Sequence, residues 1–214
     1  MKKIMFNDKY GLTQAVLKGI KTQTRRIVPQ SLIDKYEEWY DDVCCIAMPS
    51  GSTIETLRDW LLRKHTRYYV DEVVAVAQSY CSIADELENC NNATCAAHYE
   101  KNVQKASEYI SWMEHPGFVN KMFVAADKMI HRIRITDVWV ERLQDISDEC
   151  CLKEGVMKWD AGQKDIPLFC YPNSAKCDYD TPQEAFAHLI NKVSRKDVWE
   201  ENPYVFVYDF ELVK

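Results

Sequence analysis

The stretches of this chain that read as β-strands are few, short and far apart, and that spacing constrains its fold most. Ile4–Phe6 reads as a short entry strand, and Val70–Ala77 is a β-branched run of the kind that fills a buried strand. Met122–Val124 reads as another short strand. Arg132–Arg142 alternates, with Ile133, Ile135, Val138 and Val140 on either side of Thr136-Asp137, and Tyr204–Leu212 closes the chain with mostly apolar positions. A doubly wound parallel sheet would alternate strand and helix at short, regular intervals, which this chain does not do. Its 6 glycines among 214 residues include no cluster behind a strand, so Rossmann and P-loop phosphate chemistry are excluded. The pattern predicts an α+β chain built on a small mixed or antiparallel barrel decorated with helices.

The helices announce themselves by period and by end signals. Leu12, Ala15 and Val16 share a helical face, and Gly19 stands where a helix ends in the left-handed conformation. The segment from Ile20 to Arg26, stopped near Pro29, reads as a loop. Residues 31–66 read as amphipathic helix with a polar break at Pro49-Ser50-Gly51-Ser52, and residues 81–118 as helix plus loop. Asp148 to Glu154 forms a short helix begun by Ser147 and stopped by Gly155, with acidic residues in its first turn, where the helix dipole favours them. Residues 157–180 read as irregular. Thr181-Pro182-Gln183-Glu184 is a helix start, with Thr at the N-cap, Pro at N1 and Glu at N3. That helix is expected to bury Ala185, Phe186, Leu189, Ile190 and Val193.

Hydrophobic residues at 47% and charged residues at 28% are the balance of a folded chain rather than a disordered one. The net charge of −6 argues against a protein that coats nucleic acid unselectively, so any such site must be a local patch. The charge is uneven. Lys2, Lys3, Lys9, Lys18, Lys21, Arg25 and Arg26 face Asp8 alone in residues 1–30, and a second basic group follows at Lys121, Lys128, Arg132 and Arg134. The opening Met-Lys-Lys-Ile-Met-Phe-Asn-Asp meets charge too soon for a signal peptide, and no run approaches the ~20 apolar residues of a membrane helix, so a cytoplasmic protein with no membrane partner is expected. Nine cysteines in such a setting are read as free thiols. Cys90, Cys95 and His98, with Cys81 or the Cys170/Cys177 pair, are spaced more loosely than zinc knuckles, so no metal and no cofactor are expected.

One segment concentrates the chemistry. Gly19-Ile20-Lys21-Thr22-Gln23-Thr24-Arg25-Arg26 joins a helix stop to a Lys, two Thr and two Arg. A Lys drawn into an apolar pocket loses solvation, so its pKa falls and it can serve as a base. A Thr hydroxyl nearby can act as nucleophile or bind substrate, and Arg26 suits a carbonyl or phosphate oxygen. Asn7 and Gln78 are candidate readers of a base edge, because a neutral amide both donates and accepts. His131 reads as a half-buried structural histidine, and Trp139, Trp199, Tyr204 and Phe206 as core or rim.

The segment resembles the ASCH domain family, whose signature G-x-K-x-x-[E/T]-x-R is met by Gly19, Lys21, Thr24 and Arg26. Met5-Phe6-Asn7 and the helix ending at Val16-Leu17-Lys18-Gly19 resemble the family's entry strand and helix. Tyr69 to Val76 resembles its Y-x-V-G-D strand, and Arg132 to Asp145 its central strand. Ile146-Ser147-Asp148-Glu149 with Glu154-Gly155 resembles its I-S-x-E…E-G helix, and Asn202 to Val207 its closing strand. Many members of the phage and prophage type, which this chain resembles most, have Gly at position 71 and Glu at position 78. The resemblance implies a PUA-like small mixed β-barrel of the ASCH type over residues 1–214, with insertions at about 31–66, 81–118 and 157–180.

It also implies a site. One bacterial branch of the family removes the acetyl group of N4-acetylcytidine with a Lys, a Thr and a Glu, which fall on Lys21, Thr24 and Glu154 here. Asn7, Arg25, Arg26, Gln78 and Arg132 are then expected as ligand-binding residues. The expected partner is a nucleoside or single-stranded RNA, hydrolysed if it is an N-acylated nucleoside. The alternatives are a non-catalytic RNA-binding module with the same pocket and, third, a protein-interaction domain contacting a partner through its acidic insertions.

Overall fold

Tyr204–Val213, ten residues of mostly apolar sequence, is a long inner strand of the sheet. The computed structural model describes residues 1–44, 55–88, 104–159, 167–175 and 177–213. Over these the chain is α+β. Strands β1 (Lys3–Ile4), β2 (Gln23–Ile27), β3 (Val73–Val76), β4 (Arg132–Arg142) and β7 (Tyr204–Val213) form a mixed sheet in the order β1-β3-β4-β7-β2. β1 runs parallel to β3, with Lys3 opposite Ala75, and β2 runs antiparallel to β7, with Arg25 opposite Val207. β5 (Met157–Trp159) and β6 (Leu168–Cys170) pair separately as a two-stranded antiparallel sheet. The helices are α1 (Leu12–Leu17), α2 (Gln30–Cys44), α3 (Leu57–Lys64), α4 (Tyr80–Glu88), α5 (104–110), α6 (Asp148–Lys153), α7 (Pro182–Ser194) and α8 (Val198–Glu201).

The structure departs from the sequence reading in definite places. No closed barrel forms among the described residues; the sheet is an open row of five strands. Gln23–Ile27, read as loop because it is polar and charged, is a strand: pairing with β7 satisfies its backbone whatever its side chains prefer. Lys121–Phe123 is a turn of 3-10 helix rather than a strand, begun by the Asn120 side chain accepting from the Met122 amide at 3.0 Å. The strand expected from Val70 begins at Val73, because Asp71 takes a left-handed φ of 65° in the turn before it. The irregular stretch 157–180 contains β5 and β6. Cys170 and Cys177 are bridged as a disulfide across a Cα–Cα distance of 4.5 Å, so these two are not free thiols. The break expected at Pro49–Ser52 lies outside the described residues.

The chain divides into two compact units. The first comprises Met1–Phe6, Val73–Ile133 and Leu212–Lys214; the second comprises Asn7–Glu72 and Arg134–Glu211. In the first, Ala75, Ala77, Tyr80, Val124 and Met129 are buried together. Within it Lys3 donates to the carbonyls of Met122 (2.6 Å) and Val124 (2.8 Å), and Lys121 donates to that of Phe6 (2.6 Å). Basic side chains of the two clusters noted in the sequence thus hold backbone here.

In the second unit the core joins β7, α6 and α7: Leu143, Ile146, Cys151, Val156, Ala185, Phe186, Val198, Val205 and Val207. The helix-start signature places α7. Thr181 accepts from the Glu184 amide at 3.1 Å, a cap of about 1 kcal/mol, and Ala185, Phe186 and Leu189 face inward. α6 opens on Ser147, which accepts from the Cys150 amide at 3.2 Å, and packs against β2 and α7. It ends at Glu154, followed by Gly155 at φ 103°, a conformation that costs other residues strain. That turn leaves the Glu154 carbonyl facing the chain segment that follows α1.

Candidate functional site

The site begins with two helix ends. α1 stops at Lys18, Gly19 takes φ 70°, and the amides of Ile20 and Lys21 both return to the Ala15 carbonyl, at 2.9 and 3.0 Å. This fold-back brings Lys21 and Thr22 against the C-terminal end of α6. The Thr22 amide donates to the Lys153 carbonyl at 2.9 Å, and Lys21 Nζ donates to the Glu154 carbonyl at 2.8 Å. Both are carbonyls that a helix end leaves without an internal partner, and a cation there also suits the helix dipole. Lys21 Nζ donates as well to Glu154 Oε2, in an ion pair joining residues 133 positions apart.

The second oxygen of Glu154 is also taken. Arg25, 5% exposed, donates from one guanidinium nitrogen to Glu154 Oε1 at 3.1 Å and from two others to Glu141 Oε1, at 2.7 and 3.1 Å. It donates further to Gln23 Oε1, and Gln23 in turn donates to Asp209 at 2.6 Å. Glu141 is oriented by the Trp139 indole, whose N–H donates to Oε2 at 2.6 Å. The guanidinium lies 5.9 Å from the centre of the Phe186 ring, which ties the network to the apolar core.

Electrostatics follow from burial. Lys21 is 2% and Glu154 4% exposed. Burial pulls the Lys21 ammonium below its ordinary pKa; Glu154 opposes that, and the charges of Arg26 and Arg25 reinforce it. Burial also works against Arg25, but Glu154 and Glu141 outweigh it and hold the guanidinium above its usual value. Burial lowers Arg26. Lys21 and Arg25 therefore share Glu154, and Arg25 also holds Glu141. The Cys151 thiol of the same unit, pushed up to about 12 by burial, stays protonated and unreactive.

The pleat of β2 sorts its side chains. Gln23 and Arg25 point to the face just described, and Thr24 and Arg26 to the other. Thr24 is buried opposite Tyr208, and Arg26 is half-buried opposite Phe206. Tyr208 packs edge-on to Tyr68 with ring centres 5.2 Å apart, and its hydroxyl lies 3.2 Å from that of Thr66. That face is aromatic, and the charge of Arg26 still acts on Lys21.

Of the residues singled out in the sequence, Lys21, Arg25 and Glu154 form one bonded cluster, with Arg26 coupled to it through charge. Thr24 belongs to the same strand. Asn7 lines a separate cavity of the second unit with Tyr10 and the end of α7. Gln78 and Arg132 belong to the first unit. Gln78 is 2% exposed; its amide nitrogen donates to Glu86 at 2.9 Å, while its Oε1 is buried with no hydrogen-bond partner among the described residues. Glu86 also takes His131 on its other oxygen, and that pairing holds the Glu86 carboxyl below its usual range. Arg132 is half-buried at the start of β4.

Sequence reasoning missed Glu141, Gln23 and Asp209. The signal for Glu141 and Asp209 was a carboxylate inside an otherwise apolar strand pattern, which requires a buried partner. Cys90, Cys95 and His98 lie outside the described residues, and among the described residues no three His, Cys, Asp or Glu side chains converge as metal ligands. No helix among them is long and apolar enough to cross a membrane. Comparisons with protein-family models, with curated proteins and with solved structures find no match for this chain.

Proposed function

We propose that this chain is an ASCH-type protein of the PUA-like group that takes a nucleobase, a nucleoside or single-stranded RNA at Lys21, Thr24, Arg26 and Glu154. We propose further that it hydrolyses an N-acylated nucleoside of the N4-acetylcytidine kind. The carrying observation is the contact of Lys21 with Glu154, buried together. The resemblance assigns these distant residues to one site, and they touch. A second observation agrees: position 71, where many relatives carry Gly, has the left-handed backbone that Gly adopts without strain. The finer architecture, a small barrel with helical insertions, belongs to the same proposal.

The reaction requires water to attack the acetyl carbonyl carbon, the C–N bond to break and a proton to reach the departing exocyclic nitrogen, giving acetate and cytidine. Lys21 serves as base only when neutral. Burial and the nearby arginines favour that state, and Glu154 opposes it. The carboxylate then relays the proton to the leaving amine. The resemblance assigns the acyl oxygen to Arg26 and the orienting of water or substrate to Thr24, although both side chains leave β2 on the face away from Arg25 and its contact with Glu154.

One observation favours a second reading, recognition without catalysis. Arg25 occupies the oxygen of Glu154 that Lys21 leaves, so both carboxylate oxygens are engaged by protein donors. In that case the same residues hold a nucleoside or an RNA element and no bond breaks.

Hydrolysis of N4-acetylcytidine, followed by ultraviolet absorbance, separates the two. Turnover by the wild-type chain that is lost in folded Lys21→Ala and Glu154→Gln variants supports the amidohydrolase. Absence of turnover by folded wild-type protein, with cytidine or RNA still bound, leaves recognition. Absence of both removes the nucleoside reading.

A further inference from the structure

The cavity lined by Asn7, Lys9, Tyr10, Asn191, Lys192 and Arg195 lies within the second unit and takes no part in the Lys21 network. Its two walls are the turn before α1 and the last turn of α7, and they are stitched together: the Tyr10 hydroxyl donates to the Lys192 carbonyl at 3.4 Å. The cavity measures about 350 Å³, at the small end of the range for small-molecule sites. Lys9, Lys192 and Arg195 are all exposed, and none of the three forms an ion pair among the described residues.

Among the described residues only Lys9 of the three has a ring beside it, its Nζ lying 5.5 Å from the centre of the Tyr10 ring. Three cations without an ion pair at one opening need a reason. The end of α7 supplies part of one, since cations at a helix C-terminus meet the negative end of its dipole. That dipole is worth only about half an elementary charge, against three positive charges, so it does not balance them. The acidic neighbours in sequence are Asp8, whose carboxylate accepts from the Thr13 hydroxyl at 2.5 Å, and Asp197, two residues past Arg195. Arg195 itself stands at φ 59°, where Gly or Asn would sit with less strain. The side-chain oxygen of Asn191 accepts from the Trp199 amide at 2.9 Å, which leaves its NH₂ as a donor.

We propose that this cavity binds a phosphate group. The donors decide the chemistry. A carboxylate offers two acceptor oxygens on one plane, whereas three cations and two amide groups on opposing walls match the three or four oxygens of a phosphate. The group belongs either to a free phosphate ligand or to the backbone of single-stranded RNA, and both present the same oxyanion. The site does not depend on the Lys21 reading, because none of its residues belongs to that network.

The test uses the full chain and two probes: inorganic phosphate, followed by ³¹P line broadening, and a fluorescent single-stranded oligouridylate, followed by anisotropy at low and moderate salt. At least one probe is expected to bind the wild-type chain and to bind a Lys9→Gln, Lys192→Gln, Arg195→Gln triple variant at least tenfold more weakly. With RNA, the slope of log K against log salt should also shrink by about 0.7 for each cation that touches a phosphate. Phosphate binding alone identifies a small phosphorylated ligand; RNA binding alone identifies the nucleic-acid backbone. Arg195→Gly separates lost binding from lost fold, because it removes one cation while relieving the left-handed backbone. Binding of neither probe, or equal binding by wild type and triple variant, overturns the proposal.

Discussion

Lys21 meets Glu154 twice, once at the side-chain carboxylate and once at the backbone carbonyl, 2.8 Å away. One lysine thus closes a helix end and neutralises the residue at that end. The two halves of the contact predict an asymmetry between variants. Glu154→Gln leaves Lys21 and Arg25 buried with a neutral partner, and breaking a buried pair in this way costs about 3–5 kcal/mol. Lys21→Met keeps the Glu154–Arg25 pair and replaces the ammonium with an apolar chain of similar length, so its cost should be smaller, about 1–3 kcal/mol. Urea unfolding of the two variants beside wild type checks the order. Equal losses would mean that Arg25 does not share in holding Glu154.

The depressed pKa of Lys21 predicts a pH dependence with a definite sign. In the unfolded chain Lys21 titrates near its ordinary value of 10.5; in the folded chain it titrates lower. Below the folded value both states hold the proton, and stability does not change on this account. Between the two values the unfolded state binds more protons, so stability rises with pH, by at most about 1.4 kcal/mol per unit. Unfolding free energies of wild type and Lys21→Met, measured at steps up to pH 10, isolate the effect. Wild type should gain on the variant as the pH rises, and a difference that stays flat or falls refutes the depressed pKa.

How much of this was legible in the sequence differs from residue to residue. The end of α1 at Gly19 and the start of α7 at Thr181 were readable, because helix ends depend on local backbone and capping chemistry. The mixed α+β composition followed from period. β2 was not readable: Gln23-Thr24-Arg25-Arg26 has a polar pattern, and only its pairing with β7, about 180 positions away, makes it a strand. Separations of 116 positions for Glu141 from Arg25 and 186 for Asp209 from Gln23 hid those two carboxylates. Lys21, Arg25 and Glu154 were named from a motif and a resemblance, but which oxygen each cation holds depends on the fold. Asn7 and Gln78 were chosen for amide chemistry and for their places in the resemblance, and the structure puts them in different units, because neither signal carries information about neighbourhood.

Asp71 offers a test of the backbone argument. Its φ of 65° is tolerated by Asp better than by most residues but still costs more than in Gly, while its amide donates to the Ile135 carbonyl at 2.8 Å. Asp71→Gly keeps that bond and removes the strain, against the greater freedom Gly gives the unfolded chain. The balance should favour the variant by up to about 1 kcal/mol, seen as a rise in Tm of a few degrees. Asp71→Val, which suits the extended conformation expected from the β-branched run, should destabilise instead. A Tm raised by Val and lowered by Gly would show that the turn at 71 is misassigned.

Arg25→Lys tests whether geometry or charge holds the network. The guanidinium holds Glu141 through Nε and one terminal nitrogen, and both Gln23 and Glu154 through the other, whereas an ammonium at the end of a flexible chain cannot span both carboxylates. The substitution keeps the charge and loses at least one buried pair, at a cost of about 2–4 kcal/mol. Because the positive charge stays near Lys21, the window in which stability rises with pH should persist. Arg25→Met removes the charge as well. Arg25 is one of the groups that lower Lys21, so in this variant the Lys21 pKa should move back toward its ordinary value and the window should narrow. Chemical denaturation of both variants across pH distinguishes the two contributions. A Lys variant as stable as wild type would show that charge alone suffices, and an unchanged window in the Met variant would show that Arg25 does not act on Lys21.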